Sequence, residues 1–121
     1  MNFYILLGAV LLSSNALAAA GEAVYKSKCS SCHDSGAGQA PRLSVREDWL
    51  TREPRGRAAM HESALKGIPA TAMAAKGGYA ELTDAEVRDS VEYMLARASN
   101  SMMARRLCAA SISAWRRAMV W

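Results

Sequence analysis

Two cysteines and a histidine, in the order Cys29-Ser30-Ser31-Cys32-His33, are the residues here whose types and spacing point most directly to chemistry. Two thiols three positions apart on one helical turn can reach the vinyl groups along one edge of a porphyrin and form thioethers. The next residue, His33, then lies beneath the ring, where its imidazole can bind the iron. The order Cys-x-x-Cys-His is the attachment signal for c-type haem. The motif therefore predicts one covalent haem c, with Cys29 and Cys32 as the attachment points and His33 as the proximal iron ligand.

A cysteine pair at this spacing has two other common uses, a redox dithiol and half of a zinc site. A thioredoxin-like dithiol belongs in a βαβ pattern, and this sequence has none. A zinc site needs further Cys or His ligands at suitable spacing. Only His61 and Cys108 remain, and neither belongs to a second paired motif. Haem attachment is therefore the preferred interpretation.

The N-terminal segment resembles an export signal, since 15 of the first 20 residues are apolar. The apolar run from residue 3 to residue 12 is too short to cross a bilayer core of about 30 Å, but it suits a signal-peptide h-region. Small residues suitable for cleavage follow at positions 16–20. Residues 1–20 are therefore predicted to be a signal peptide cleaved near residues 18–20, which places the protein in the periplasm. Because no Lys or Arg precedes the run, an uncleaved anchor or a core helix is the alternative.

The 121 residues suit one small domain, and the formal net charge of +4 is unevenly distributed. Residues 1–100 hold 11 basic and 11 acidic side chains, so the whole excess lies in residues 101–121. A balanced body with a basic tail is not typical of a nucleic-acid-binding domain. The excess comes from four arginines: Arg105, Arg106, Arg116 and Arg117.

Residues 101–121 have the pattern of a basic amphipathic helix, with Cys108, Ile112, Trp115 and Met119 on one stripe. Such a helix could bind an anionic membrane surface or an acidic partner. The alternative is a ragged extension of the domain. Once the two thioethers form, Cys108 is the odd cysteine and could join two copies of the chain as a dimer.

Between these two segments, residues 21–100 are predicted to be short helices joined by long loops. No stretch shows sustained two-residue alternation, so no sheet is expected and the fold class is all-α. One helix is expected from Gly21 to about Cys32, and another from Arg57 to Lys66 with Gly67 as its C-terminal cap. The intervening segments 35–41 and 68–79 are expected to be loops because they contain Gly and Pro.

Two capping boxes mark further helix starts. Ser44-Val45-Arg46-Glu47 predicts a short helix that carries Trp49, and Thr83-Asp84-Ala85-Glu86 predicts the start of the last helix. Apolar residues follow the second box at helical spacing, which is the strongest helix signal in the sequence. They are Val87, Val91, Met94, Leu95 and Ala98.

The sequence resembles the small bacterial class I cytochromes c, in particular the cytochrome c-five branch. The features that carry this resemblance are the Cys29–His33 motif, this order of helices and loops, and the Met-x-x-Lys-Gly-Gly segment at residues 73–78. The resemblance covers roughly residues 21–97. Further matching residues are Tyr25, Ala40-Pro41, Trp49, Ser63-Ala64-Leu65 with Gly67, and Tyr93-Met94-Leu95. The resemblance implies short helices and loops wrapped around one covalently bound haem. It also implies that the protein is an exported single-electron carrier with transient redox partner proteins, rather than an enzyme.

The resemblance further implies that Met73 is the distal iron ligand, since it lies in the loop just before Lys76-Gly77-Gly78. Met60 and Met94 occupy apolar helical positions and are interpreted as core side chains. The branch often has Pro-Pro after the ligand Met, where this chain has Ala74-Ala75. It also often has a cysteine pair after the two glycines, where this chain has Tyr79 and Leu82.

Three alternatives for the haem protein remain at this point. The iron could be open, as in a small-ligand sensor or a peroxidase-like protein, or it could bind His61 on the distal side. The chain could instead be a membrane-attached subunit of a redox complex. Other side chains are candidates for contact with the haem: Arg42, Arg52 and Arg55 for the propionates, and Tyr25 and Trp49 for the ring edge or the core.

Overall fold

The computed structural model describes the fold of residues 11–100, which is helical without any strand in that range. Helix α1 spans Leu11–Val24 and continues through a π-helical turn, Tyr25–Cys29, into the short helix α2, Ser30–His33. Helix α3 spans Gly56–Lys66, and helix α4 occupies residues 84–100 of the described chain. Short 3-10 turns at Ala37–Gln39, Arg46–Asp48, Glu53–Arg55 and Ala75–Gly78 lie in the loops between them. The prediction of an all-α fold is confirmed.

The first helical segment begins earlier than the sequence predicts, because α1 already includes residues 11–20. The predicted cleavage positions lie inside this helix, and residues 18–20 are exposed while Gly21 is buried. The signal peptide itself stays a prediction. Within residues 11–100, no helix has both the length and the apolar character needed to cross a membrane.

Helices α1 and α4 approach each other closely at Gly21. A Cβ atom at this position would lie 2.2 Å from the backbone oxygen of Asp89, which no real side chain could tolerate. Only a residue without a side chain therefore allows this contact between the two helices. It brings the start of the domain against its last described helix.

The capping box at the start of α4 forms as the sequence predicts. Glu86 Oε2 accepts hydrogen bonds from the backbone nitrogen of Thr83 at 2.8 Å and from its hydroxyl at 2.7 Å. In return, the backbone nitrogen of Glu86 donates to Thr83 Oγ1 at 3.3 Å. The apolar positions behind the box face the interior, where they bury Val87, Met94, Leu95 and Ala98.

The other predicted capping box is wrong. Only a three-residue 3-10 turn, Arg46–Asp48, forms after Ser44, and no side chain caps it. The Asp48 carboxylate instead accepts hydrogen bonds from the backbone and side chain of Arg42. Trp49, which follows the turn, is buried. These contacts fold the segment back on itself, and a three-residue turn takes the place of the predicted helix.

The core consists of two small clusters rather than one large one. The first contains Tyr25, Trp49, Met94, Leu95 and Ala98, and the second contains Ala64, Leu82 and Val87. The partly buried side chain of Val91 packs against both clusters. Helix α4 is therefore the element that joins the two parts of the core.

Candidate haem-binding site

A cavity of about 830 Å³ opens between the two core clusters. This volume lies within the range of cofactor pockets, about 300–1,000 Å³. Its walls include all four predicted site residues: Cys29, Cys32, His33 and Met73. The fold therefore brings together residues up to 44 positions apart in the chain, around a space large enough for a prosthetic group.

The two thiols of the motif are free, and neither forms a disulfide. Cys29 is half-buried with its Sγ 3.5 Å from the Ser90 hydroxyl on α4, whereas Cys32 is exposed. Burial raises the pKa of the Cys29 thiol, an effect that the contact with Ser90 partly offsets. Both sulfurs are thus available for covalent attachment at one wall of the cavity.

The His33 side chain is oriented by a backbone carbonyl. Its Nδ1 lies 2.9 Å from the oxygen of Pro41, and the backbone oxygen of His33 accepts a bond from Leu43 N at 2.8 Å. In the tautomer that donates from Nδ1, the lone pair of Nε2 is left to bind a metal. The segment at residues 41–43 therefore acts as a support for the predicted proximal ligand.

An ion pair stabilises this supporting segment. The Arg42 guanidinium lies 2.9 Å from Asp48 Oδ2, and the Trp49 indole nitrogen donates to the Arg42 backbone oxygen at 2.9 Å. Hydrogen bonds from the side chain and the backbone of Arg42 lower the pKa of Asp48 to about 2. Arg42 is not among the residues that line the cavity, whereas Arg52 and Arg55 are.

Met73 lies in the loop after α3, where backbone contacts fix its position. Its backbone oxygen accepts from Ile68 N at 2.9 Å, and its nitrogen donates to the Thr71 hydroxyl at 3.2 Å. Its side chain is half-buried and packs against the second core cluster. The distal loop thus presents a thioether at the cavity from a defined backbone conformation.

Comparison with known proteins shows which family the chain belongs to. The family model described as cytochrome c oxidase, cbb3-type, subunit III matches residues 16–94. The chain is 40% identical over 92 residues to a cytochrome c-555 from Chlorobaculum tepidum, an alignment that covers 72% of this chain and 85% of that protein. The chain belongs to this family and is a class I c-type cytochrome.

Other relatives agree with this assignment. The cytochrome is 40% identical over 79 residues to a cytochrome c-551 from Halorhodospira halophila, which covers 62% of this chain and 95% of that protein. The crystal structure of an electron transfer complex of nitrite reductase with cytochrome c contains a chain with 38% identity and a TM-score of 0.59, covering 65% of this chain and 94% of that one. The class I cytochrome c fold, a single covalent haem c and an electron-transfer role rather than an enzymatic one are therefore confirmed.

The donor set of this cytochrome fits a haem better than the alternative metal sites. One cavity of suitable volume is lined by two free thiols, a thioether and an imidazole. The Nδ1 atom of that imidazole already forms a hydrogen bond, with the Pro41 oxygen. No group of three or more His, Cys, Asp or Glu side chains suited to a metal ion occurs among the described residues. The zinc interpretation of the cysteine pair is therefore not supported.

His61 does not act as a rival ligand in this structure. It is absent from the cavity lining, and its Nε2 lies 2.9 Å from Glu92 Oε1 on α4. The two atoms are close, but they do not form an aligned hydrogen bond. His61 therefore connects α3 with α4 and does not line the cavity that contains the four predicted site residues.

Some of the other methionines and aromatic residues line the cavity, and others lie only in the core. Met60 and Met94 also line the cavity, but both pack in or against the first core cluster from helices. Trp49 contributes to the cavity wall, whereas Tyr25 does not and is a core residue whose hydroxyl donates to Asp34. Burial and this hydrogen bond raise the pKa of Tyr25.

Two contributors to the site could not be found from the sequence: the Pro41 carbonyl and the Ser90 hydroxyl. Pro41 matched the family pattern, but nothing in that match indicates a hydrogen bond to His33. Ser90 reads as a polar position on an amphipathic helix. Its approach to Cys29 depends on how α4 crosses the first helical segment.

Proposed function

We propose that this cytochrome is an exported carrier of single electrons, with haem attached to Cys29 and Cys32 and iron bound between His33 and Met73. The observation that supports this assignment best is that all four side chains line one cavity of about 830 Å³. The haem, when bound, supplies an iron that accepts and releases one electron. The residues of the chain hold it, set its potential and restrict the access of water.

Each wall of the cavity has a separate role in this proposal. The thioether of Met73 is a weak, uncharged ligand that favours the reduced iron and so raises the potential. Apolar side chains that line the cavity, such as Val91 and Met94, would exclude water from a bound haem. Arg52 and Arg55, which line the same cavity, offer charge-assisted hydrogen bonds to the propionates.

Covalent attachment is tested on the whole protein. A denaturing gel stained for haem, followed by a pyridine haemochrome spectrum, should show one haem per chain with both vinyl groups saturated. Cys29→Ser should leave one vinyl group free and shift the haemochrome band, and the double Cys29→Ser/Cys32→Ser variant should lose the stain. Stain that survives in the double variant would refute attachment at these two residues.

Distal ligation is tested by replacing the thioether with a group of similar volume. Met73→Leu should abolish the weak long-wavelength band of the oxidised protein that reports a methionine–iron bond. It should also lower the reduction potential by about 0.1 V, a part of the roughly 0.8 V that axial ligands span. Met60→Leu is the matched control, because Met60 lines the same cavity from α3 and should keep the band. A wild-type protein without this band would instead favour the open-iron alternative.

Export and partners complete the proposal. We expect cleavage near residues 18–20, because residues 18–20 are exposed whereas Gly21 is buried against α4. N-terminal sequencing of the periplasmic protein tests this, and an intact residue 1 in a membrane fraction would contradict it. Redox proteins of the same compartment would dock transiently at the cavity mouth. Residues 101–121 lie outside the described residues, so membrane or acidic-partner contact and a Cys108 dimer remain predictions.

The description of the matching family favours a second candidate, a subunit of a membrane-bound oxidase. The alignments with two small cytochromes favour the carrier instead, because they cover 85% and 95% of the lengths of those proteins. Size-exclusion chromatography of the protein from its native membranes and periplasm separates the two. The carrier should elute as a small protein from the periplasmic fraction, and an oxidase subunit should elute with a large detergent-solubilised complex.

A further inference from the structure

We propose that Lys76 is a positioning residue for Met73, because its ammonium group fastens the distal loop, residues 73–78, to the start of α4. This inference rests on the proposed ligation of iron by Met73. Lys76 itself does not bind the iron in this proposal. It limits how far the loop can move away from the cavity.

The contacts of the Lys76 ammonium carry the proposal. Nζ donates to the Leu82 backbone oxygen at 2.7 Å and lies 2.9 Å from Asp84 Oδ1. Leu82 is buried in the second core cluster, and residue 84 is the first residue of α4. The Asp84 side chain is 65% exposed, so the bond to the Leu82 carbonyl is the better shielded of the two. The Lys76 ammonium thus ties the second half of the loop to the core and to the start of α4.

No other side chain in the second half of the loop can make such an attachment. Ala74, Ala75, Gly77 and Gly78 are exposed and have one side-chain carbon or none, whereas Lys76 is half-buried. The backbone hydrogen bonds here stay within the turn, from Gly77 N to Ala74 O and from Tyr79 N to Lys76 O. They shape the turn without fixing it to the rest of the domain.

The backbone of Lys76 agrees with this role. Lys76 adopts φ +52° and ψ 29°, a left-handed conformation that side-chain-bearing residues rarely take. Such a conformation persists where surrounding contacts hold it, and here the tethered ammonium supplies them. Met73 consequently lies between two fixed points. One is the hydrogen bond that the Met73 carbonyl accepts from Ile68 N, and the other is the Lys76 ammonium.

Competition with imidazole measures this effect, because added imidazole binds oxidised iron only when the methionine leaves. The test uses the full haem-loaded chain and the variant Lys76→Met, which keeps a long apolar side chain but removes the ammonium. Imidazole should bind Lys76→Met about tenfold more tightly than wild type, and the methionine–iron band should weaken. Lys76→Arg, which retains a donor, should lie closer to wild type.

Lys66→Met is the matched control. It removes the same charge from α3, where Lys66 is exposed and pairs with Glu62 at 2.7 Å. Its imidazole affinity should stay within about twofold of wild type. Urea unfolding of each variant separates positioning from general stability, since a merely structural role would lower the midpoint without changing imidazole affinity.

The outcomes separate this proposal from the one on which it rests. A wild-type protein without the methionine–iron band would refute Met73 ligation, and the role of Lys76 with it. The role of Lys76 alone would be overturned by a different pair of results. In that case Met73→Leu abolishes the methionine–iron band of the wild-type protein, but Lys76→Met binds imidazole no more tightly than wild type does. Should Lys76→Met fail to mature with haem, Lys76→Gln and Lys76→Arg form the graded pair to which the same criterion applies.

Discussion

At the scale of single residues, Gly67 shows how strictly the distal loop is packed. Its φ of 76° and ψ of 177° belong to a backbone region that is essentially restricted to glycine. A Cβ atom here would lie 2.7 Å from Ala75 N and 2.8 Å from the Met73 oxygen. Gly67 therefore does more than end α3, because its missing side chain leaves space for the loop that carries Met73.

Gly67→Ala should accordingly disturb the iron ligand as well as the fold. We expect about 1–3 kcal/mol of lost stability from the backbone conformation, a similar further amount from overpacking, and a weaker methionine–iron band. Gly56→Ala is the control, because Gly56 has φ 83° and ψ 160°, and a Cβ atom there would meet no other atom within 4 Å. Gly56→Ala should lose only the stability that the backbone conformation costs, and it should keep the methionine–iron band. Equal effects of the two variants on stability and spectrum would contradict this account.

At the scale of elements, the site depends on how the first helical segment meets α4. The two are in backbone contact at Gly21 and Asp89, and one helical turn later Tyr25 packs with Met94, Leu95 and Ala98. The capping box at Thr83 defines where α4 begins. This crossing fixes the helix that carries Cys29 against the helix that carries Ser90.

Gly21→Ala tests the crossing, because local and tertiary effects have opposite signs. Helix propensity alone predicts a small stabilisation, at most the about 0.5–1 kcal/mol of a helix interior. The 2.2 Å approach to the Asp89 oxygen predicts a net loss of about 1–3 kcal/mol instead. Urea unfolding of the haem-loaded protein measures the difference.

Ala23→Gly provides the comparison, since Ala23 is an exposed position of the same helix. It should cost only the propensity difference, about 0.5–1 kcal/mol. A Gly21→Ala variant more stable than wild type would show that the two helices separate in solution without penalty.

At the scale of the whole molecule, the cavity divides the core into two small clusters that meet through Val91. Without haem, the apolar side chains around this space of about 830 Å³ lose the group that packs against them. A folded domain has only about 5–15 kcal/mol of net stability. The loss of this packing therefore leaves little net stability in the haem-free protein.

Haem removal should therefore abolish the fixed tertiary structure. Haem-free Cys29→Ser/Cys32→Ser protein should lose its near-ultraviolet circular dichroism while it retains part of the helical far-ultraviolet signal. It should also unfold in urea without a sharp transition. Sharp unfolding with near-wild-type stability would contradict the dependence on haem. Lys66→Met, prepared with haem, serves as the folded reference.

The parts of the site that the sequence predicts are those that depend on neighbouring residues. Cys29, Cys32 and His33 lie within five positions, so their spacing alone indicates haem attachment. The Thr83–Glu86 box and helix α3 depend on contacts within one or two turns, and both occur as predicted, α3 to within one residue. The resemblance to a family is what distinguishes Met73 from the other methionines, of which the sequence contains seven in all.

The tertiary structure decided what depends on residues far apart in the chain. The Ser44 box does not form because the Asp48 carboxylate binds Arg42 and Trp49 enters the core. The tie from Lys76 to the start of α4 becomes visible only once the chain has folded. Local hydrogen bonds and helical periodicity depend on residues within short stretches of sequence, so the sequence can predict them. The close approach of Gly21 to Asp89, and the cavity itself, arise only when separate elements pack together.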